Sequence, residues 1–299
     1  MMKKLLLIAV FYLTGRSAFS QNDSLLNSLD DDAHRKEYVS GAFKSSRVVN
    51  NHSIEMIGKR VLDVRILHRF GFVNSGVNNL FGLDQARMRL GFDYGITKNL
   101  TIGLGRSTYQ KELDGFIKYR LIQQSTGYHS FPVSIIAIGG MVINTLPAVG
   151  NDIKKSFSDK AGYYSEIIVG KKITEKFSVQ LSPTWVHRNY VISSSVDDKN
   201  NVYAVGVGMR LKLSKRTAFV IDYDYVVYGL NKDIYSNPLA IGFDIETGGH
   251  VFQLHLSNSL GMNEKAFITQ TVNKWSNGDI NFGFNISRVF SIKKKGGNK

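Results

Sequence analysis

Charged residues recur at steps of two along much of this chain, and that spacing puts them on one face of an extended strand. Arg87, Arg89 and Asp93 alternate with Met88, Leu90, Phe92 and Tyr94. The same reading collects Asp63, Arg65, Asp114, Lys118, Arg120, Glu166, Arg210, Lys212, Asp222, Asp224, Asp244 and Glu246 on faces opposite apolar neighbours. The early members are mainly basic and the later ones mainly acidic. Charges of both signs on facing walls can pair across a narrow enclosure, or set a transverse field across a water-filled channel. Arg65, Arg87, Arg89, Asp93, Asp114, Lys118, Arg120, Arg210, Asp222, Asp224, Asp244 and Glu246 are therefore the candidate selectivity residues.

A second pattern is catalytic in form. His255 and Ser257 are two apart and share a strand face, as a base and nucleophile of a lipid hydrolase would. Phe252, Leu254 and Leu256 take the opposite face, and no third group to orient the histidine is evident. His250 and His255 are five apart and fall on opposite faces of one strand, so they cannot chelate together there. No phosphate loop, dinucleotide fingerprint or zinc-hydrolase motif is present. No catalytic residue, cofactor or metal is expected.

The elements that must hold these residues have period two. Candidate strands are 60–70, 85–95, 100–109, 112–123, 131–143, 161–173, 177–187, 201–213, 217–226, 239–247, 250–257 and 280–290. Twelve is an even number, and each segment is near the ~9–11 residues that a tilted strand needs to cross a bilayer. Two of them, 131–143 and 161–173, have ambiguous facing. The links sort by length. Those at 96–99, 124–130, 174–176, 214–216 and 247–249 are short. Those at 71–84, 144–160, 188–200, 227–238 and 258–279 are longer, and the link near 107–111 breaks the rule. Membrane barrels have short periplasmic turns and long external loops, whereas a soluble sandwich has no reason to sort its links this way. Phe92, Tyr94, Tyr109, Tyr119, Tyr163, Phe177, Trp185, Tyr203, Tyr223, Tyr225 and Phe290 lie near strand ends, where interfacial girdles form.

The chain ends read differently. Lys3 and Lys4 precede an apolar run from Leu5 to Leu13, and Ala18-Phe19-Ser20 supplies small residues before Gln21. This is a secretory signal over 1–20, with cleavage expected near Ser20/Gln21. Residues 21–58 are expected to form a periplasmic extension or a lumen-plugging segment, ahead of a barrel over 59–292 and a basic tail over 293–299. The formal charge of +14 falls to +11 once Lys3, Lys4 and Arg16 are removed with the signal. With a secretion signal and no helical basic face, the excess points away from nucleic acid and toward anionic lipid. The chain has no cysteine, which excludes a disulfide framework and a thiolate metal site.

Several stretches resemble a known family. They are VLDVRILHRFG at 61–71, LFGLDQARMRLGFDYGIT at 80–97, GLGRS at 103–107, KYRLIQQSTG at 118–127, PTWVHRN at 183–189, GGHVFQLHLSNS at 248–259 and FGFNISRVF at 282–290. Together they resemble the uncharacterised outer-membrane β-barrels of Bacteroidota known as domain of unknown function 5777. The resemblance spans the chain after the signal. It implies a barrel and an outer-membrane location but no settled activity, so no site residue follows from it. The expectation is a non-enzymatic barrel that passes or binds small polar or charged solutes. A closed barrel that docks a surface or periplasmic protein through 144–160, 258–279 or 21–58 stands as the alternative.

Overall fold

In a computed structural model, residues 35–147, 156–191 and 198–292 are described. The expected signal at 1–20, residues 21–34, the expected tail at 293–299 and parts of two long links lie outside them. All twelve expected strands form. They are β1 (Val61–Phe72), β2 (Ala86–Gly95), β3 (Leu100–Ser107), β4 (Glu112–Ile122), β5 (Ser134–Asn144), β6 (Ala161–Lys172), β7 (Phe177–Arg188), β8 (Asn201–Lys212), β9 (Thr217–Tyr228), β10 (Leu239–Thr247), β11 (His250–Ser257) and β12 (Asn281–Ser291). Each pairs antiparallel with the next, and β12 returns to β1, which closes the barrel and leaves no sheet edge.

Burial alternates along every strand. In β1 the buried positions are Asp63, Arg65, Leu67, Arg69 and Gly71, and the residues between them are less covered. The outward face carries Leu104, Ile117, Leu181 and Phe243, all exposed. Such a band of exposed large apolar side chains suits contact with lipid rather than water. Phe92, Tyr119, Tyr163, Tyr203, Tyr225 and Phe290 are exposed among them, as a girdle requires.

The two segments of ambiguous facing are apolar on both sides. Ile136, Ile138 and Val142 on β5 and Ile168 on β6 point inward and are buried. Part of the lumen is therefore a packed apolar core, which resolves the facing of these two segments. Two short elements escape the period-two reading. Lys36–Tyr38 pairs antiparallel with Ser125–Gly127 as a separate ribbon. Glu264–Thr269 forms a short helix, α1, capped by Asn263, whose Oδ1 accepts from the Ala266 amide at 2.9 Å.

Candidate functional site: a filled lumen

Residues 46–53 fold back on themselves as a tongue. The Ser53 amide donates to the Ser46 carbonyl and the Val48 amide to the Asn51 carbonyl, each at 2.9 Å, and Arg47 bridges His52. Every residue of the tongue from Ser45 to Ile54 is buried, and it lies inside the barrel. A buried loop must satisfy its backbone groups, and the wall side chains do that here.

The tip is held by a carboxylate. The amides of Val49, Asn50 and Asn51 donate to Asp222 Oδ2 at 3.0, 2.6 and 2.9 Å. Successive N–H groups converging on one anion form a nest. Asn51 Nδ2 adds bonds to Asp222 Oδ1 at 2.7 Å and to Asp224 Oδ2 at 2.8 Å. Gly206 lies beside this cluster, where a Cβ would come within 2.8 Å of Asp224 Oδ1 and 2.5 Å of Ser182 Oγ.

Other strands around the wall present donors. Lys118 Nζ reaches the carbonyls of Ser46, Ser53 and Glu55 at 3.2, 2.7 and 2.7 Å. Arg65 Nη1 donates to the hydroxyls of Ser45 and Ser46, both at 2.8 Å. Arg69 Nη2 donates to Asn50 Oδ1 at 2.9 Å, and Asn285 Nδ2 to the Val49 carbonyl at 3.1 Å. Gln180 makes two bonds, accepting from the Ile54 amide at 3.0 Å and donating to the His52 carbonyl at 2.6 Å. Arg210 donates to the Ala42 carbonyl at 3.2 Å.

A second piece closes on the first. Although 258–279 reads as an external loop, residues 261–269 are buried and carry α1 inward. Glu264 Oε1 then meets Arg47 Nη1 at 2.8 Å and His52 Nε2 at 3.2 Å, with no exposure of any of the three side chains. Burial alone would raise the Glu264 carboxyl, but Arg47 and His52 overcome it and hold the group well below the usual carboxylate range. Burial, reinforced by Arg47, pushes the His52 imidazole down to about 3, so it is neutral at physiological pH. Next to this latch, Lys265 pairs with Glu112 at 2.7 Å and Asn263 donates to Glu112 at 2.7 Å. Phe267 and Ile268 of α1 join Val48, Val49 and Ile54 of the tongue in one apolar cluster. The wall completes the cluster with Ile136, Val142, Ile168, Val186, Val202 and Val220.

All the candidate selectivity residues face inward. Arg65, Lys118, Arg210, Asp222 and Asp224 are spent on the tongue. Arg89 pairs with Asp114, Nε to Oδ1 at 2.9 Å, and Asp244 accepts from Gln253 at 2.9 Å. Glu246 pairs with Lys44, and Arg120 donates to Gln123 at 2.8 Å. Asp93 is buried with Oδ1 unpartnered. Arg87 is half-buried over the Tyr109 ring. The sequence reading missed Arg47, His52, Arg69, Glu112 and Glu264. Arg69 could have been found, because it continues the odd-numbered face of Asp63 and Arg65. Arg47, His52 and Glu264 carry no periodic signal.

The hydrolase pattern is not assembled. His255 and Ser257 face the lumen, but Ser257 Oγ accepts from the Ser259 amide at 3.0 Å and, among the described residues, no carboxylate pairs with His255 to orient it.

No curated protein matches this sequence significantly. Among solved structures, the NanC porin aligns with 11% identity over 78% of this chain and 100% of its own, at a TM-score of 0.49. The KdgM porin aligns with 10% identity over 78% of this chain and 99% of its own, at 0.43. The translocator domain of the autotransporter NalP from Neisseria meningitidis aligns with 11% identity, covering 80% of this chain and 91% of its own, at 0.38. A family model described as a membrane bound beta barrel domain (DUF5777) matches residues 43–290, from just before the tongue to the last strand, and the chain belongs to that family.

Proposed function

We infer that this protein is a non-enzymatic outer-membrane barrel for small polar or charged solutes, closed at rest by its own tongue and loop helix. The observation that carries the reading is the Asp222 nest. Three backbone amides of a segment outside the sheet converge on one wall carboxylate, so a hydrogen-bonded, reversible contact holds the closure. The Arg47–Glu264 pair makes the closure two-sided, because the tongue and the loop helix hold one another. A ligand that binds loop 258–279 better in a withdrawn position would loosen the tongue by the same coupling free energy.

Single-channel conductance in a planar bilayer tests this. The wild-type barrel is expected to open rarely, and a variant lacking 39–58 to conduct steadily. Silence in both, with folding verified by heat-dependent gel mobility, would refute the solute-path reading. The alternative, a closed scaffold for a surface or periplasmic protein, draws support from the apolar cluster in the lumen, which no water-filled channel needs.

A further inference from the structure

Five consecutive strands contribute one lateral row of inward positions. Gly242 on β10 pairs with His255 on β11, His255 with Gly283 on β12, Gly283 with Arg69 on β1, and Arg69 with Arg87 on β2. The row thus sets an imidazole and two guanidinium groups side by side, with glycines flanking the imidazole. A Cβ on Gly283 would lie 2.5 Å from His255 Nε2 and 2.9 Å from Arg69 Cδ, so both side chains converge over this one glycine. Tyr109 extends the row, its ring centroid 6.0 Å from the Arg87 guanidinium carbon.

The row lacks counter-charge. Like charges directly opposite one another in a sheet repel. Among the described residues, no carboxylate lies within ion-pair distance of Arg69, Arg87 or His255. Asp222 is the carboxylate that acts on Arg69, and it already accepts four N–H bonds from the tongue. Donors are left over as well. Arg69 Nε and Arg87 Nη1 are buried without a hydrogen-bond partner, and the imidazole of His255 lies beside them across Gly283. Arg69 is fully buried, so water does not screen its charge, and His255 beside it is 2% exposed. Buried cations and donors of this kind need a partner that accepts hydrogen bonds and carries negative charge.

We propose that Arg69, Arg87 and His255 form a binding site for a single oxyanion group, a carboxylate or phosphate borne by a small solute. Arg87, half-buried, receives the anion from the long-loop end. Arg69 Nε and a His255 nitrogen complete its shell. The inference deepens the proposed function by naming the solute class, and it rests on that reading only for the route the solute takes.

The test uses the full-length protein in detergent at constant ionic strength and neutral pH, titrated with inorganic phosphate and separately with acetate. Binding is read by calorimetry and by the imidazole shifts of His255. Saturable binding of either anion is expected, with affinity lowered about tenfold or more in Arg69→Gln and in Arg87→Gln. Should Arg69→Gln fail to fold, the Arg87→Gln variant decides alone. Absence of saturable binding by both anions, or an affinity unchanged in Arg87→Gln, overturns the site. Because binding is measured at equilibrium without conduction, a silent barrel that binds phosphate would sink the solute path and leave the site standing.

Discussion

The two walls of the lumen hold the same tongue by different physics. On β12 and β1–β4 the contacts are polar, made by Asn285, Arg65, Arg69 and Lys118 to carbonyls, hydroxyls and an amide oxygen. On β5–β9 the contacts are mainly apolar, through Ile136, Val142, Ile168, Val186, Val202 and Val220, with the Asp222 nest set among them. Apolar burial supplies adhesion that does not depend on direction, at about 25 cal/mol per Å². The polar wall supplies register, because a buried donor left without its acceptor costs about 1–3 kcal/mol. One wall keeps the tongue inside and the other decides where it sits.

Breaking the latch between the two pieces should have the largest effect. Glu264→Ala leaves Arg47 buried and unpaired, and about 3–5 kcal/mol of docking free energy should be lost. Faster proteolysis within 39–58 and more frequent channel openings would register it. Phe267→Ala tests the apolar side of the same helix. It should cost about 3 kcal/mol through lost burial and a cavity. Hydrogen exchange across α1 should rise while the polar wall contacts stay protected.

The Asp222→Ala substitution separates polar from apolar holding. Three tongue amides lose their acceptor while the apolar cluster remains, so the tongue should stay inside but lose register. Increased exchange confined to Val49, Asn50 and Asn51 would sharpen the comparison, and complete release of the tongue would break it. At the small end, Lys44→Ala removes a partly exposed pair with Glu246 and should change docking by less than about 1 kcal/mol.

Acid should loosen the closure, and the sign follows from two groups. His52 is depressed to about 3 from 6.5, so its protonation is favoured only when the tongue is released. Docking is then fully stable above about pH 6.5 and weakens progressively as the pH falls toward 3. Glu264, also depressed, contributes stability above its ordinary 4.5 that is lost at still lower pH. Protease sensitivity of 39–58 that rises from pH 7 to pH 5, and less so in His52→Gln, is the expected result.

The barrel was legible because lipid outside and polar contacts inside write a period of two, as in Gln85 to Gly95, and because link lengths sort by end. The inward facing of Ile136 and Ile168 was not, since lipid and a packed core demand the same residue types. A lumen-plugging segment was one of two expectations for 21–58, but the fold of the tongue within it was not legible, because a loop held by wall side chains needs no pattern of its own. The α1 helix, six residues long, offers too little sequence for a helical period. The charged faces were found, but what they touch depends on contacts such as Asn51 to Asp222, separated by 171 residues. Sequence spacing carries no trace of those.

The most direct test of the closure is a reversible tether. A Cβ on Gly170 would lie 2.6 Å from Ile54 Cγ2, so cysteines placed by Ile54→Cys and Gly170→Cys are close enough to bridge, in a chain with no other cysteine. Conductance of that variant, oxidised and then reduced in the same bilayer, is the measurement. The account predicts silence when oxidised and openings restored on reduction. Equal conductance in both states would contradict it, because the tongue would then not be what closes the lumen.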